Sequence, residues 1–209
     1  MENKNEKIDA IVNLEWEMFS AVNNSGGKAP CQNRPDTFYI MRSSQFETWP
    51  LEILNSYYED VTCAKNSGRN LCTEKYGYMM EFTVPDEFAK IKDFLPAVSS
   101  ELIPTIRQIV DINLQWEEES AKNYPHMRSN GRPLRKEEDS LNFVSVETYL
   151  FCELKTYSEK TINLLYDYTK ECKDRGINLS EKILENTALA YGYKSLSQAE
   201  ETLANQTRY

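Results

Sequence analysis

A stretch near the N-terminus, residues 13–23, returns 100 residues later as residues 113–123. Seven of its eleven residues are identical in the two copies: Asn, Leu, Trp, Glu, Ser, Ala and Asn. Four of the shared residues are spaced i, i+3, i+4 and i+7, so they lie on one face of a helix. These four are Asn13, Trp16, Glu17 and Ser20. The pattern therefore predicts an internal duplication built around two copies of one long helix.

A second set of matches follows at an offset of 108 residues, from Thr48 to Thr156 and from Gly68 to Gly176. The offset grows because eight extra residues enter the loop after the first long helix, where insertions are tolerated. No sustained period-two alternation indicates strands. We therefore predict an all-α fold, in which an internally duplicated four-helix unit forms a pseudo-twofold helical bundle. Residues 1–98 form the first repeat with a short connecting helix, and residues 99–209 form the second repeat with a C-terminal helix, within one compact domain.

The balance of charges limits the partners of this chain. Its 33 acidic and 24 basic residues give a net charge of −9, whereas nucleic-acid binding usually needs a basic patch. We therefore expect neither nucleic acid nor an anionic membrane as a partner. No apolar run reaches the length of a membrane span, and the N-terminus lacks the apolar segment of a signal peptide. Five cysteines without closely spaced pairs predict reduced thiols and a cytoplasmic location.

Several short motifs together resemble a known family. They are Glu-Trp-Glu-Met-Phe at 15–19, Cys-Gln at 31–32, Met-Arg-x-x-Gln-Phe-x-x-Trp at 41–49, Gly-Arg-Asn-Leu-x-x-Glu-Lys-Tyr at 68–76 and Gly-Arg-Pro at 131–133. Over about residues 8–197 the chain is similar to a bacterial family filed as domain of unknown function 4125. The resemblance implies a small cytoplasmic bacterial protein, and it carries over no catalytic residue.

The repeated helix face supplies the first candidate site. If the two faces meet across a pseudo-twofold axis, Glu17 and Glu117 are paired carboxylates that share a proton or hold an amine or cation. Asn13, Trp16 and Trp116 would line the same cleft. Alternatively, the faces pack on the following helices, and their polar groups bond to the backbone of the long loops.

A buried carboxylate and an asymmetric arginine form a second candidate. Glu15 falls within the apolar arc of the first helix, so we expect it to be buried. Arg42 and Gln45 lie one turn apart on the second helix, and Arg42 has an apolar counterpart in the second copy. Two roles fit Arg42: it clamps a carboxylate or phosphate of a ligand, or it forms a salt bridge to Glu15 or Glu17.

Two further residues belong to this second candidate. Glu153 is the counterpart of Gln45 at the offset of 108 residues, so we expect it to face the same region. Arg132 lies in the longer second loop and is expected to reach the same cleft.

Cys31 and Gln32 lie in a loop before a helix for which Asp36 is the expected N-cap. A thiol near a helix N-terminus is activated when its pKa falls, so Cys31 is a candidate for a reactive or ligand-contacting thiol. The alternative is a small buried apolar residue. The one histidine, His126, neither supports nor excludes a Cys–His pair.

The sequence predicts no cofactor and no metal. It has no Cys-x-x-Cys or Glu-x-x-His pattern, so a di-iron bundle is not indicated; a carboxylate-only cation site is the weak alternative. We expect a small-molecule-binding protein or enzyme with a polar cleft between the repeats; the alternative is a helical module that binds a protein partner without catalysis. The catalytic candidates are Cys31, Glu17 and Glu117, and the ligand-binding candidates are Asn13, Trp16, Glu17, Gln32, Arg42, Gln45, Trp116, Arg132 and Glu153.

Overall fold

The chain is all-helical in the computed structural model, which describes residues 3–23, 27–129, 131–140 and 143–206. Within those ranges there are eleven α-helices and no strand, so the predicted all-α class is confirmed. The helices of the first half are α1 (Lys4–Ser20), α2 (Pro35–Phe46), α3 (Leu51–Asn66), α4 (Leu71–Thr83) and α5 (Pro85–Ile91). Those of the second half are α6 (Ile103–Asn123), α7 (Pro125–Arg128), α8 (Val146–Leu154), α9 (Glu159–Asp174), α10 (Leu179–Ala190) and α11 (Leu196–Gln206). Short 3₁₀ turns occupy Pro30–Asn33, Lys92–Phe94 and Lys136–Glu138.

Local signals explain most helix ends. The Asn70 side chain accepts a hydrogen bond from the Thr73 backbone at 2.9 Å and so caps α4. Gly68, at φ +73°, and Gly176, at φ +67°, follow the ends of α3 and α9 in the left-handed conformation. The prediction that Asp36 caps α2 is wrong, because Pro35 opens that helix and Asp36 lies within its first turn.

The two predicted loops differ from expectation. The predicted loop at 125–144 contains α7 and a 3₁₀ turn, and the predicted loop at 28–35 contains another 3₁₀ turn. Helix α1 ends at Ser20, which is earlier than the expected end near residue 24; residues 24–26 and Asn130 lie outside the described residues. None of the helices in the described ranges combines the length and apolar character needed to cross a bilayer.

Packing follows the same order in both halves. Helix α1 packs against α2, α3 and α4, and α6 packs against α8, α9 and α10. Contacts between the halves are made by α4 with α8, by α2 with α10 and by α3 with α9. These contacts do not by themselves test the internal duplication and its pseudo-twofold arrangement, which stay predictions.

The main hydrophobic cluster contains residues of both halves, from Ile8 to Leu165. Its fully buried members include Phe46 and Leu54 of the first half and Leu154 of the second. Polar contacts also join the halves: the hydroxyls of Ser56 and Thr161 lie 2.8 Å apart in the α3–α9 contact. Burial of one shared apolar core therefore couples the halves energetically.

Candidate functional site

Arg42 of α2 is the centre of a buried polar cluster. Its Nε and Nη2 donate to the two carboxylate oxygens of Glu15 in α1, at 2.7 and 2.5 Å. Its Nη1 donates to Gln45 Oε1 at 2.7 Å and lies 3.0 Å from Glu153 Oε1 of α8. Tyr57 of α3 donates from its hydroxyl to Glu15 Oε1 at 2.6 Å. The bidentate arginine–carboxylate geometry fixes both the distance and the plane of the pair.

Glu153 connects this pair to a second cation. Lys75 of α4 lies with its Nζ 3.3 Å from Glu153 Oε2 and donates to the hydroxyl of Tyr149 at 2.6 Å. Tyr157 donates to Glu153 Oε1 at 2.9 Å. The cluster thus takes side chains from α1, α2, α3, α4 and α8, and from the turn after α8.

The cluster contains two carboxylates, Glu15 and Glu153, and two cations, Arg42 and Lys75, so its charges cancel. Burial alone would raise the pKa of Glu153, but Arg42 and Lys75 outweigh burial and lower that pKa to about 2. Burial would likewise lower the pKa of Lys75, but the facing Glu153 carboxylate raises it well above its ordinary value. Both groups are therefore ionised at neutral pH.

The two tyrosines that bond to the carboxylates stay protonated. Burial is the main reason that the pKa of Tyr57 is raised, and the neighbouring Glu15 adds to the effect. Burial and then Glu153 raise the pKa of Tyr157 in the same way. The two rings lie 4.5 Å apart, centroid to centroid. Each hydroxyl therefore acts as a fixed hydrogen-bond donor rather than as an acid or a base.

A cavity of about 10 Å³ adjoins the cluster. That volume holds one water-sized group. Cys72 is partly buried, and the other residues that line the cavity are buried. Burial raises the pKa of the Cys72 thiol to about 11, so the thiolate that would act as a nucleophile is scarce. The lining residues are Glu15, Met18, Tyr57, Leu71, Cys72, Lys75, Glu153 and Thr156.

Aromatic side chains and a second arginine form the outer edge of the cluster. The Arg132 guanidinium carbon lies 4.6 Å from the ring centroid of Tyr149, and Lys75 Nζ lies 4.3 Å from the same centroid. Tyr76 is next to them, and its pKa is raised by burial first, then by Tyr149, with a smaller contribution from Cys31. Arg132 therefore borders the cluster without belonging to its hydrogen-bond network.

The predicted site residues are brought together only in part. Arg42 contacts both Gln45 and Glu153, and Arg132 contacts the cluster through the ring of Tyr149. The prediction that Glu15 is buried is confirmed, since it is 5% exposed. Of the two carboxylates proposed for the Arg42 salt bridge, Glu15 is the partner.

Glu17 and Glu117 have separate cationic partners rather than each other. Glu17 is paired with Lys65 of α3, and its side chain is 59% exposed. Glu117 pairs with Arg128 of α7 at 2.8 Å. The two copies of the repeated face therefore lie within their own halves, but their carboxylates pair with side-chain cations rather than with loop backbone, which the alternative interpretation expected.

Other candidates have structural partners away from the cavity. Gln32 donates to the carbonyls of Phe19 and Val22 at 2.9 Å each, so it caps the C-terminal end of α1. Asn13 accepts a hydrogen bond from the Tyr39 hydroxyl. Cys31 is exposed, which corrects its interpretation as a small buried apolar residue.

The two repeated tryptophans and the histidine also lie apart from the cavity. Trp16 packs on Phe38 with ring centroids 5.3 Å apart, and Trp116 belongs to a small buried cluster of the second half. His126 Nδ1 lies 2.7 Å from Glu200 of α11. No group of three potential metal ligands occurs in the described part of the chain.

Sequence reasoning missed Lys75, Tyr57, Tyr149 and Tyr157. The signal that singled out Arg42 would have found three of them. At the offset of 108 residues Lys75 corresponds to Ile183, Tyr57 to Leu165 and Tyr149 to Met41. Several residues of this cluster are charged or carry a hydroxyl where the other half of the chain has an apolar residue.

Comparison with known proteins gives a family and no characterised relative. No curated protein and no solved structure matches the chain. One family model matches residues 5–201, which is most of the chain, and its description is "Protein of unknown function (DUF4125)". The chain therefore belongs to the DUF4125 family.

Proposed function

We propose that the protein binds a small polar molecule through one polar group that enters the cavity beside the Arg42–Glu153 pair, and that its fold is a duplicated four-helix unit in which only one of two equivalent positions became a charged site. We propose further that it acts in the cytoplasm, a location that its five free cysteines support.

The observation that carries this proposal is a pair of cavities lined by corresponding residues, which are charged in the first cavity and uncharged in the second. A second cavity, of about 40 Å³, lies between the halves. Five of the residues that line the first cavity stand 108 positions from residues that line the second. Glu153, Lys75 and Tyr57 in the first correspond to Gln45, Ile183 and Leu165 in the second, while Thr156 and Leu71 keep their residue types as Thr48 and Leu179.

The packing of the helices supports the duplication itself. The contacts of α1 with α2, α3 and α4 have counterparts in those of α6 with α8, α9 and α10, and the α4–α8 contact has its counterpart in α10–α2. The capping residues Asn70 and Asn178 also act alike, because each donates to a backbone carbonyl of its long helix, at Met18 and at Trp116.

Burying ionised groups is unfavourable unless they are paired and fully hydrogen-bonded. An apolar counterpart at the equivalent position indicates that the fold does not require the charges for packing. Small-molecule sites are mostly apolar with a few precisely placed polar groups, and this cavity combines such groups with the apolar side chains of Met18 and Leu71.

The protonation states favour binding over catalysis. General acid–base catalysis at neutral pH needs a group with a pKa near 7, whereas the pKa of Glu153 is about 2 and that of Cys72 is about 11. Lys75 stays protonated, so its amine is not a nucleophile. We therefore propose a binding protein.

A thermal-shift screen with a variant that fills the cavity tests this function. Cys72→Met extends an apolar side chain into the cavity and leaves the four charged groups unchanged. The matched control is Cys63→Met, because Cys63 is exposed on α3. We expect at least one member of a panel of polyols, carboxylates, phosphates and amines to raise the midpoint of the wild type and of Cys63→Met, and to leave Cys72→Met unshifted. No shift with any member, or equal shifts in all three proteins, would overturn the proposal.

A second candidate function, the binding of a protein partner, is supported by a different surface. A groove of about 440 Å³ lies between α2 and α10 and is lined in part by Ile40 and Leu189, and Leu189 is about half exposed. Loss of a co-purifying partner in Leu189→Glu, with retention in Cys72→Met, would favour this candidate over the first.

A further inference from the structure

The segment that connects the two halves presents one strongly exposed aromatic side chain. Phe94 is the last residue of the 3₁₀ turn Lys92–Phe94, and it is 86% exposed. The other exposed large apolar side chains in the described part of the chain are at most 50% exposed. An aromatic side chain buries roughly 150–250 Å² when a partner covers it. Covering Phe94 is therefore favourable for any surface that can receive a phenyl ring.

A groove of about 460 Å³, wide enough for a phenyl ring, lies directly beside Phe94. The chain after the ring forms one wall, because Leu95 packs on α4, where a Cβ at Gly77 would lie 2.8 Å from Leu95 Cδ2. Tyr78 of α4 holds the same wall by donating from its hydroxyl to the Pro96 carbonyl at 2.6 Å. The apolar side chains that line the groove include Phe88, Leu95, Val98 and Ile103.

The charges beside the ring indicate which partner fits the groove. Lys92 and Asp93 line it and form no ion pair within the described part of the chain. A surface that carries a carboxylate next to a phenyl ring would bring its carboxylate to Lys92 as the ring enters the groove. Asp93 and Phe94 of a second copy are such a surface. The chain carries a net charge of −9, so two copies repel each other over most faces, but the opposite charges of Lys92 and Asp93 favour contact here.

A twofold axis brings both features into contact at once. In a twofold dimer residue i of one copy contacts residue j of the other, and j contacts i. Because the ring and the groove are adjacent on each copy, one rotation places each ring opposite the other copy's groove. We propose that two copies of this chain associate through the connecting segment, each inserting Phe94 into the groove of the other and pairing its Asp93 with the other's Lys92. This association does not depend on the function proposed for the Arg42 cavity.

Sedimentation equilibrium of the full chain over roughly 1–500 μM tests the association. We expect the wild type to approach twice the chain mass of 24.3 kDa as its concentration rises, and Phe94→Ser to stay at the single-chain mass. Phe143→Ser is the matched control, because Phe143 is an exposed phenylalanine of the second half, at 49%, and this variant should associate like the wild type. A wild type that stays at the single-chain mass, association that survives in Phe94→Ser, or equal loss in both variants would overturn the proposal.

Charge reversal tests the twofold pairing itself. In Lys92→Asp two acidic side chains are adjacent, and in Asp93→Lys two basic ones, so a dimer of either variant alone places like charges opposite each other. In an equal mixture of the two variants opposite charges face each other again. We expect the mixture to associate about tenfold more tightly than either variant alone at low ionic strength, and the difference to vanish in high salt. No gain on mixing would overturn the pairing of Asp93 with Lys92.

Discussion

Replacing Glu153 by glutamine tests whether the buried charges stabilise the fold. Glutamine has nearly the same size and keeps an oxygen for the Tyr157 hydroxyl. It removes the negative charge that faces Arg42 Nη1 at 3.0 Å and Lys75 Nζ at 3.3 Å. The variant therefore isolates the charge from the shape of the side chain.

The expected magnitude follows from the pKa of Glu153. That pKa is about 2, against an ordinary value of 4.5, and each pKa unit corresponds to about 1.4 kcal/mol at neutral pH. We expect Glu153→Gln to lower the free energy of unfolding by about 3 kcal/mol, which is within the range of roughly 3–5 kcal/mol for breaking a buried ion pair.

The pH dependence has a definite sign. Because the pKa of Glu153 is lower in the folded state, its stabilisation is fully present above about pH 4.5 and is lost as the pH falls towards 2. Urea unfolding of wild type and Glu153→Gln should therefore differ most near neutral pH, and the difference should shrink in acid.

Glu59→Gln is the matched control, since Glu59 pairs with Lys160 at 2.9 Å and both side chains are more than 60% exposed. Exposed ion pairs contribute little to stability, so this control should resemble the wild type. If Glu153→Gln loses no more stability than the control, or if its deficit does not change with pH, the reasoning about the buried charges is wrong.

Two other predictions follow from burial and capping. Cys31 and Cys63 are exposed and Cys72 has a pKa raised to about 11, so a thiol reagent at neutral pH should modify Cys31 and Cys63 before Cys72 in a mass-spectrometric time course; earlier modification of Cys72 would contradict this. Gln32→Ala removes the partner of two carbonyls at the end of α1 and should lower the free energy of unfolding by about 1–3 kcal/mol in urea titrations. A control at the neighbouring exposed Asn33 should change little, and equal losses for both variants would show that the cap is unimportant.

Local patterns determined most of the secondary structure that could be predicted. The helix over Leu51–Asn66 illustrates this, because a proline before it and a glycine after it define both ends. Asn70 and Asn178 cap α4 and α10 with their side chains, and asparagine is a residue type that N-caps favour. The short helix α7 was missed, since a single turn after Pro125 has too few residues to show a hydrophobic period.

The candidate site could be predicted only where one helix contains the signal. The burial of Glu15 follows from the apolar arc of α1. The two partners expected for Arg42, Glu15 and Glu17, also lie on α1. The pairing of Arg42 with Glu153 depends on how α2 and α8 approach each other, and no local pattern contains that information. Lys75 was missed because lysine is almost always exposed unless it is paired.

The origin of Glu153 in the second half has a consequence for biosynthesis. Lys75 and Glu153 are 78 residues apart, so at 5–20 residues per second the lysine leaves the ribosome roughly 4–16 s before its partner. During that interval helices α1–α4 contain the two cations of the cluster and only one of its carboxylates. An unpaired cation opposes burial, so the nascent first half should stay open and accessible to protease until α8 has been synthesised.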